Sequence, residues 1–203
     1  MRLRAATILV TVLAGGALAR GQHSTPARIG IYVEFEQKPS PVALQVMQTE
    51  TEALLLQAGL QPAWRFFKRP TVESEKFDSV VMVRFKGSCR PAVDTASTEW
   101  EPFAEQVRLA ATKTRSGQVL PITEVECDNV GRAIQKLPLK QRGPALGSAL
   151  GRVVAHELYH ILLNTTGHAA KGIARPVVNW DDLVACKATF TPRDLERLSR
   201  SLR

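Results

Sequence analysis

The apolar residues near the start of the chain first alternate and then recur with a helical period. Ile29 to Phe35 has apolar side chains at every second position, which predicts a strand with one buried face. Ser40 and Pro41 predict a helix start, because serine caps helices and proline favours the first helical position. An apolar helical stripe follows, and Gly59 stands where that helix would end. A strand followed by a helix therefore begins the predicted fold.

Four further segments complete the predicted order of elements. Apolar runs at 63–68 and 79–85 predict strands, and the strand–helix–strand order predicts a right-handed crossover and a parallel pair. Residues 103–112 are a candidate fourth strand and 119–127 a fifth, with a turn at Arg115-Ser116-Gly117 between them. There is no internal repeat or linker in the sequence. We therefore expect one domain of the α+β class, with an α/β-like beginning.

A strongly apolar helical segment opens at Gly143-Pro144 and contains the pattern H-E-x-x-H. His156 and His160 would lie one turn apart on one helix face, about 5–6 Å between Cβ atoms, where they can bind one Zn²⁺. Glu157 would lie beside the metal, where it can act as general base toward the hydrolytic water. The alternative is a core helix with two hydrogen-bonded histidines. That alternative would bury Glu157 without a charge partner, which is costly.

A catalytic zinc site usually has three protein ligands, and His168 is the expected third. The helix must then end between His160 and His168. Asn164 tolerates the left-handed conformation, residues 165–166 are threonines and poor helix formers, and Gly167 is flexible. Carboxylates later in the chain are the alternatives for the third ligand: Asp181, Asp182, Asp194 and Glu196.

Residues 144–182 resemble the metzincin clan of zinc endopeptidases. The resemblance is greatest to short secreted bacterial proteins with H-E-L-x-H-x-L-L, a turn, His and then Gly-Ile-Met. It implies a mixed sheet of about five strands, a backing helix, a central active-site helix, and an antiparallel edge strand at 103–112 that pairs with an extended substrate. Two features depart from the family. The turn before His168 is two residues longer than common, and Ala174 occupies the position of the Met-turn methionine. That methionine underlies the metal without binding it, so its loss bears on activity more than on zinc binding.

The chain has three cysteines, Cys89, Cys127 and Cys186. In the metzincin order the third and fifth strands are parallel neighbours. The resemblance therefore implies a disulfide between Cys89 and Cys127, which leaves Cys186 free.

The first residues predict export, which agrees with a disulfide because disulfides persist in oxidising compartments. A positive start, an apolar run and Ala17-Leu18-Ala19 are typical of a secretory signal peptide, here over 1–19. A single zinc-metallopeptidase-like domain then occupies 20–203. We expect a secreted or periplasmic protein with no membrane span in the mature chain.

The net charge of +8 is dispersed, and no aromatic residues interleave with it, so a solvated surface is favoured over nucleic-acid binding. Three functions remain open. The first is a secreted zinc endopeptidase acting on peptide or protein substrates. The second is a catalytically inactive zinc-binding domain of the same fold, and the third is a secreted binding module without metal.

Overall fold

The structure, a computed structural model, describes residues 26–67, 75–91, 107–176, 183–184 and 189–202. Several predicted features lie outside these ranges, so they stay predictions. They are the signal peptide at 1–19, the first part of the strand predicted at 103–112, and three side chains, Asp181, Asp182 and Cys186.

Within the described residues the chain forms a five-stranded mixed sheet with helices packed against it. The strands are β1 (Ala27–Gln37), β2 (Leu60–Phe66), β3 (Ser79–Ser88), β4 (Ala110–Arg115) and β5 (Gln118–Glu126). The helices are α1 (Pro41–Leu56), α2 (Cys127–Ala133), α3 (Leu139–Leu162) and α4 (Pro192–Arg200). The strand order is β2-β1-β3-β5-β4, all parallel except β4, which is antiparallel to β5 at one edge. The α+β class and the mixed sheet are thereby confirmed.

The alternation of β1 decides which face of the sheet is buried. Ile29, Ile31 and Val33 are at most 1% exposed, whereas Glu34, the residue after Val33, is exposed. The parallel register places Phe35 beside Phe85 of β3, and the two rings stack with centroids 4.4 Å apart. Burying each such side chain contributes roughly 1.5–3 kcal/mol.

Helix α1 begins and ends as the sequence predicts. The Ser40 hydroxyl accepts a hydrogen bond from the backbone N–H of Ala43 at 3.2 Å, and Pro41 is the first helical residue. Gly59 has φ +71°, a left-handed conformation that glycine adopts at little cost. The chain therefore leaves the helix directly into β2.

Two glycines of α3 allow α1 to approach closely. A Cβ at Gly147 would lie 2.5 Å from the carbonyl oxygen of Ala43, and a Cβ at Gly151 would lie 2.8 Å from that of Met47. The buried Thr51 hydroxyl donates to the Gly151 carbonyl at 3.1 Å. The two helices thus meet backbone to backbone, and α3 also contacts β3, β4 and β5. This contact makes α1 the backing helix and α3 the central one.

Helix α3 starts at Leu139, so the predicted start at Gly143-Pro144 was wrong. Pro144 lies inside the helix, near its beginning, where the missing N–H removes one early hydrogen bond. The buried Arg142 side chain donates to the carbonyls of Leu137, at 2.8 Å, and Gln135, at 2.7 Å. These bonds fasten the first turn of α3 to the preceding segment.

The edge hairpin turns where the sequence predicts, at Ser116 (φ +50°) and Gly117 (φ +79°). Within the described residues β4 covers Ala110–Arg115, so it continues three residues past the predicted end at 112, and residues 107–109 are not part of the strand. Helix α2 was not predicted, and it begins at Cys127, the residue expected to end β5. No helix in the described part of the chain combines the length and hydrophobicity needed to cross a bilayer.

Candidate metal centre

The second half of α3 presents His156 and His160 on one face, as their spacing predicts. Their Nε2 atoms are 3.0 Å apart, and their ring centroids are 4.8 Å apart. His156 is half-buried, and His160 is 7% exposed. The two rings therefore converge on one point beside the helix.

The helix ends where the third histidine requires it to end. Its last residue is Leu162, and Asn164 adopts φ +45°. The N–H of Thr165 donates to the carbonyl of His160 at 3.0 Å, which closes the last turn. The left-handed residue is Asn164, and Gly167, for which flexibility was expected to matter, does not adopt a positive φ.

This reversal brings His168 to the other two histidines. Its ring centroid is 5.3 Å from that of His156 and 4.6 Å from that of His160. One nitrogen from each of the three rings lies within 4.8 Å of the others. The three histidines that the sequence singled out form a cluster that could hold one metal ion.

Backbone carbonyls fix the tautomers of two of these rings. Nδ1 of His156 lies 2.7 Å from the carbonyl oxygen of Ile173, and Nδ1 of His160 lies 2.8 Å from that of Thr165. A carbonyl only accepts, so both Nδ1 atoms carry the proton and each neutral ring has its lone pair on Nε2. Two lone pairs facing each other at 3.0 Å favour a cation between them. A carbonyl behind the ring is also how metal-binding histidines are usually oriented.

Burial favours the neutral form of all three rings. Desolvation lowers the pKa of His156, His160 and His168 below the ordinary 6.5. The carboxylate of Glu157 acts in the opposite direction on each pKa, which places its charge close to the cluster. Neutral imidazoles are the form that binds a metal ion.

The Glu157 side chain is 6% exposed and is bound by two threonines of the sheet. Thr112 of β4 donates to Oε2 at 2.6 Å, and Thr123 of β5 donates to the same oxygen at 3.3 Å. Two neutral hydroxyls therefore hydrogen-bond this buried carboxylate. Sequence reasoning missed both threonines. Thr123 could have been found, since it stands two residues before the buried Val125 and so shares its strand face.

The chain after His168 forms a tight turn at 172–174, and this turn contacts His156. Gly172 has φ +74°, and a Cβ there would lie 2.6 Å from the carbonyl oxygen of Thr189. The N–H of Ile173 donates to the same carbonyl at 3.0 Å, and its own carbonyl faces His156. Ala174, which the family resemblance would place at the Met-turn position, is fully buried.

The described carboxylate alternatives for the third ligand have other partners. Asp194 forms a capping box with Thr191 at the start of α4. Glu196 accepts from Arg200 at 2.6 Å on the exposed surface. Neither belongs to the histidine cluster.

Cys89 and Cys127 form a disulfide with a Cα–Cα distance of 4.8 Å, the pairing that the family resemblance implied. Cys89 follows β3 and Cys127 follows β5, and these strands are parallel neighbours. Both residues are fully buried. The bond holds the carboxyl end of β3 to the start of α2.

Comparison of the chain with models of known protein families and with curated proteins found no match. The interpretation of the cluster therefore depends on its own geometry and chemistry.

Proposed function

We propose that the protein is a secreted or periplasmic zinc endopeptidase of the metzincin type, which hydrolyses peptide bonds in peptide or protein substrates. One observation supports this proposal most. His156 and His160 point their lone-pair nitrogens at each other at 3.0 Å, with His168 closing the same space. A buried carboxylate, Glu157, directly follows His156 in the sequence and raises the pKa of each of the three histidines.

The donor set fits zinc. Three neutral imidazoles are a common zinc-binding set at catalytic sites, and a fourth position is then open for water or substrate. His156, His160 and His168 would hold the ion, and the carbonyls of Ile173 and Thr165 orient the first two rings. When bound, zinc polarises a carbonyl and lowers the pKa of water.

Glu157 is the general base in this proposal. It takes a proton from the water as the water oxygen adds to the scissile carbonyl carbon, and later delivers that proton to the amine nitrogen as the C–N bond breaks. Thr112 and Thr123 both donate to Oε2. Oε1 receives neither of these bonds, so we assign the proton transfer to Oε1.

Strand β4 is the surface on which an extended substrate would bind. Among the described strands it pairs on one side only, with β5, and it lies next to the histidine helix α3. A peptide could add to its outer side as a further strand through backbone hydrogen bonds.

A second candidate function is a zinc-binding domain without catalytic activity. Ala174 favours it, because the family places a methionine at this buried position and the chain has only a methyl group there. Zinc would then stabilise the fold or a binding surface.

The test combines metal content with turnover. We expect purified protein to contain about one zinc per chain and to cleave denatured casein, with cleavage blocked by a chelator and restored by added zinc. Glu157→Ala should keep the zinc and lose cleavage, whereas Glu196→Ala, which removes an exposed glutamate, should keep both. Bound zinc without turnover would support the inactive domain. Absence of bound metal after zinc loading would support a metal-free binding module.

A further inference from the structure

We infer that Thr112 and Thr123 form a positioning pair that holds Glu157 for proton transfer, an inference that rests on the proposed peptidase function. The two threonines are direct partners in the antiparallel register of β4 and β5. Side chains of directly opposed residues project from the same face of a sheet, here the face under α3. Both hydroxyls therefore reach one carboxylate oxygen, Oε2 of Glu157.

The two bonds differ in strength. The Thr112 bond, at 2.6 Å, has the length of a charge-assisted O–H···O⁻ bond, whereas the Thr123 bond, at 3.3 Å, is longer than a normal O–H···O bond. Thr112 is therefore the principal donor and Thr123 the secondary one. Since Glu157 is only 6% exposed, water replaces these donors poorly when they are removed.

The pair is built next to an irregularity in the edge hairpin. The register between β4 and β5 shifts directly after the Thr112–Thr123 pair. Pro121, which lacks an N–H, lies in the shifted part of β5. Bulges of this kind re-aim side chains next to functional sites, and here the pair marks the end of the regular ladder.

Different parts of the fold orient the histidines and the glutamate of this site. The histidines are oriented by α3, by the turn after it and by backbone carbonyls, whereas Glu157 is oriented by the sheet. Fixing Oε2 against the sheet also fixes the direction of Oε1. Removing the hydroxyls should therefore impair proton transfer without removing the metal.

The test uses substitutions that keep shape or keep the hydroxyl. Thr112→Val keeps the volume and loses the donor, and Thr112→Ser keeps the donor. We expect Thr112→Val to lower kcat on dye-labelled denatured casein by roughly 10- to 100-fold at unchanged zinc content and nearly unchanged KM. The kcat of Thr112→Ser should stay within about threefold of that of the unchanged protein. Thr123→Val should lower kcat by less than Thr112→Val does.

A readout independent of activity is the urea midpoint of the metal-free protein. Thr112→Val should lower this midpoint by roughly 0.5–1 M when Glu157 is present, and by less than half as much in the Glu157→Ala background. This cycle isolates the contact between the hydroxyl and the carboxylate.

Three results would overturn the inference. They are equal midpoint shifts in both backgrounds, an unchanged kcat in Thr112→Val, or equal losses of kcat in the Val and Ser variants. If the unchanged protein binds zinc but never cleaves casein, the proposed function fails. If the midpoint shift of Thr112→Val still depends on Glu157 in such an inactive protein, the pair only hydrogen-bonds a buried carboxylate. That result also rejects the positioning role.

Discussion

The backbone N–H of Val119 donates a hydrogen bond to the side-chain oxygen of Asn164 at 3.2 Å. This bond joins the start of β5 to the residue at which the chain leaves α3. Asn164 also holds φ +45°, so one residue both reverses the chain and ties the reversal to the edge hairpin. The position of His168 depends on this reversal.

We expect Asn164→Ala to lower the free energy of unfolding by about 1–2 kcal/mol. The substitution removes the hydrogen bond from Val119, and alanine tolerates the left-handed conformation less well than asparagine does. Asn164→Gly keeps the backbone conformation and should lower the free energy of unfolding by less than Asn164→Ala does. Urea unfolding measures both variants, and zinc competition should show weaker binding in the same order. Glycine proving worse than alanine would contradict the backbone part of this account.

His168→Ala should weaken zinc binding by more than about a hundredfold, because it removes one of the three proposed ligands. Glu196→Ala is the matched control, since Glu196 pairs with Arg200 at the surface and should leave zinc affinity unchanged. Titration against a chromophoric chelator measures both. The opposite pattern would remove the metzincin interpretation and leave a generic H-E-x-x-H protein.

Gly147→Ala should destabilise the protein by about 1–3 kcal/mol, since the added methyl would lie 2.5 Å from the Ala43 carbonyl and would force α1 and α3 apart. Gly131→Ala in helix α2 is the control. A Cβ there would meet only the carbonyl oxygen of Arg90, at an ordinary 3.8 Å, and replacing a helical glycine by alanine should stabilise by about 0.5–1 kcal/mol. In chemical denaturation we expect the two substitutions to change the free energy of unfolding in opposite directions. Two changes of the same sign would reject the close helix contact.

Replacing Cys89 and Cys127 together by alanine should lower the free energy of unfolding by up to about 4 kcal/mol, because the bond closes a loop of sequence separation 38. The double replacement leaves neither partner as a free thiol. In the unreduced, unfolded wild-type protein we expect one alkylatable cysteine, Cys186. Mass mapping that finds Cys186 in a disulfide would contradict this pairing.

Local sequence determined the histidine cluster to a large extent. His156 and His160 share a face because α-helical geometry places residues four apart on one side. His168 could be assigned because Asn164 tolerates a left-handed stop, and that conformation is a property of one residue. The caps Ser40 and Thr191 were predictable for the same reason, since each cap bonds within a few residues of itself.

Tertiary structure alone decided how Glu157 is held. The partnership of Thr112 with Thr123 depends on the register of β4 against β5, which the turn at Ser116 and Gly117 and the irregularity near Pro121 set together. The alternation of a strand shows which residues share a face but not which residue of another strand lies opposite. Sequence patterning therefore located the glutamate but not its two donors.

The start of α3 and its approach to α1 also required the folded chain. A proline at position 144 favours a helix start when only neighbouring residues are considered, yet Arg142 anchors an earlier turn through carbonyls of the preceding segment. Gly147 and Gly151 resemble weak helix residues in isolation, and their value comes from the α1 backbone lying against them. Local propensities specified the elements and the metal-binding spacing, because those depend on residues a turn apart. Contacts between distant segments decided the helix boundary, the helix packing and the environment of Glu157, because they exist only once the chain has folded.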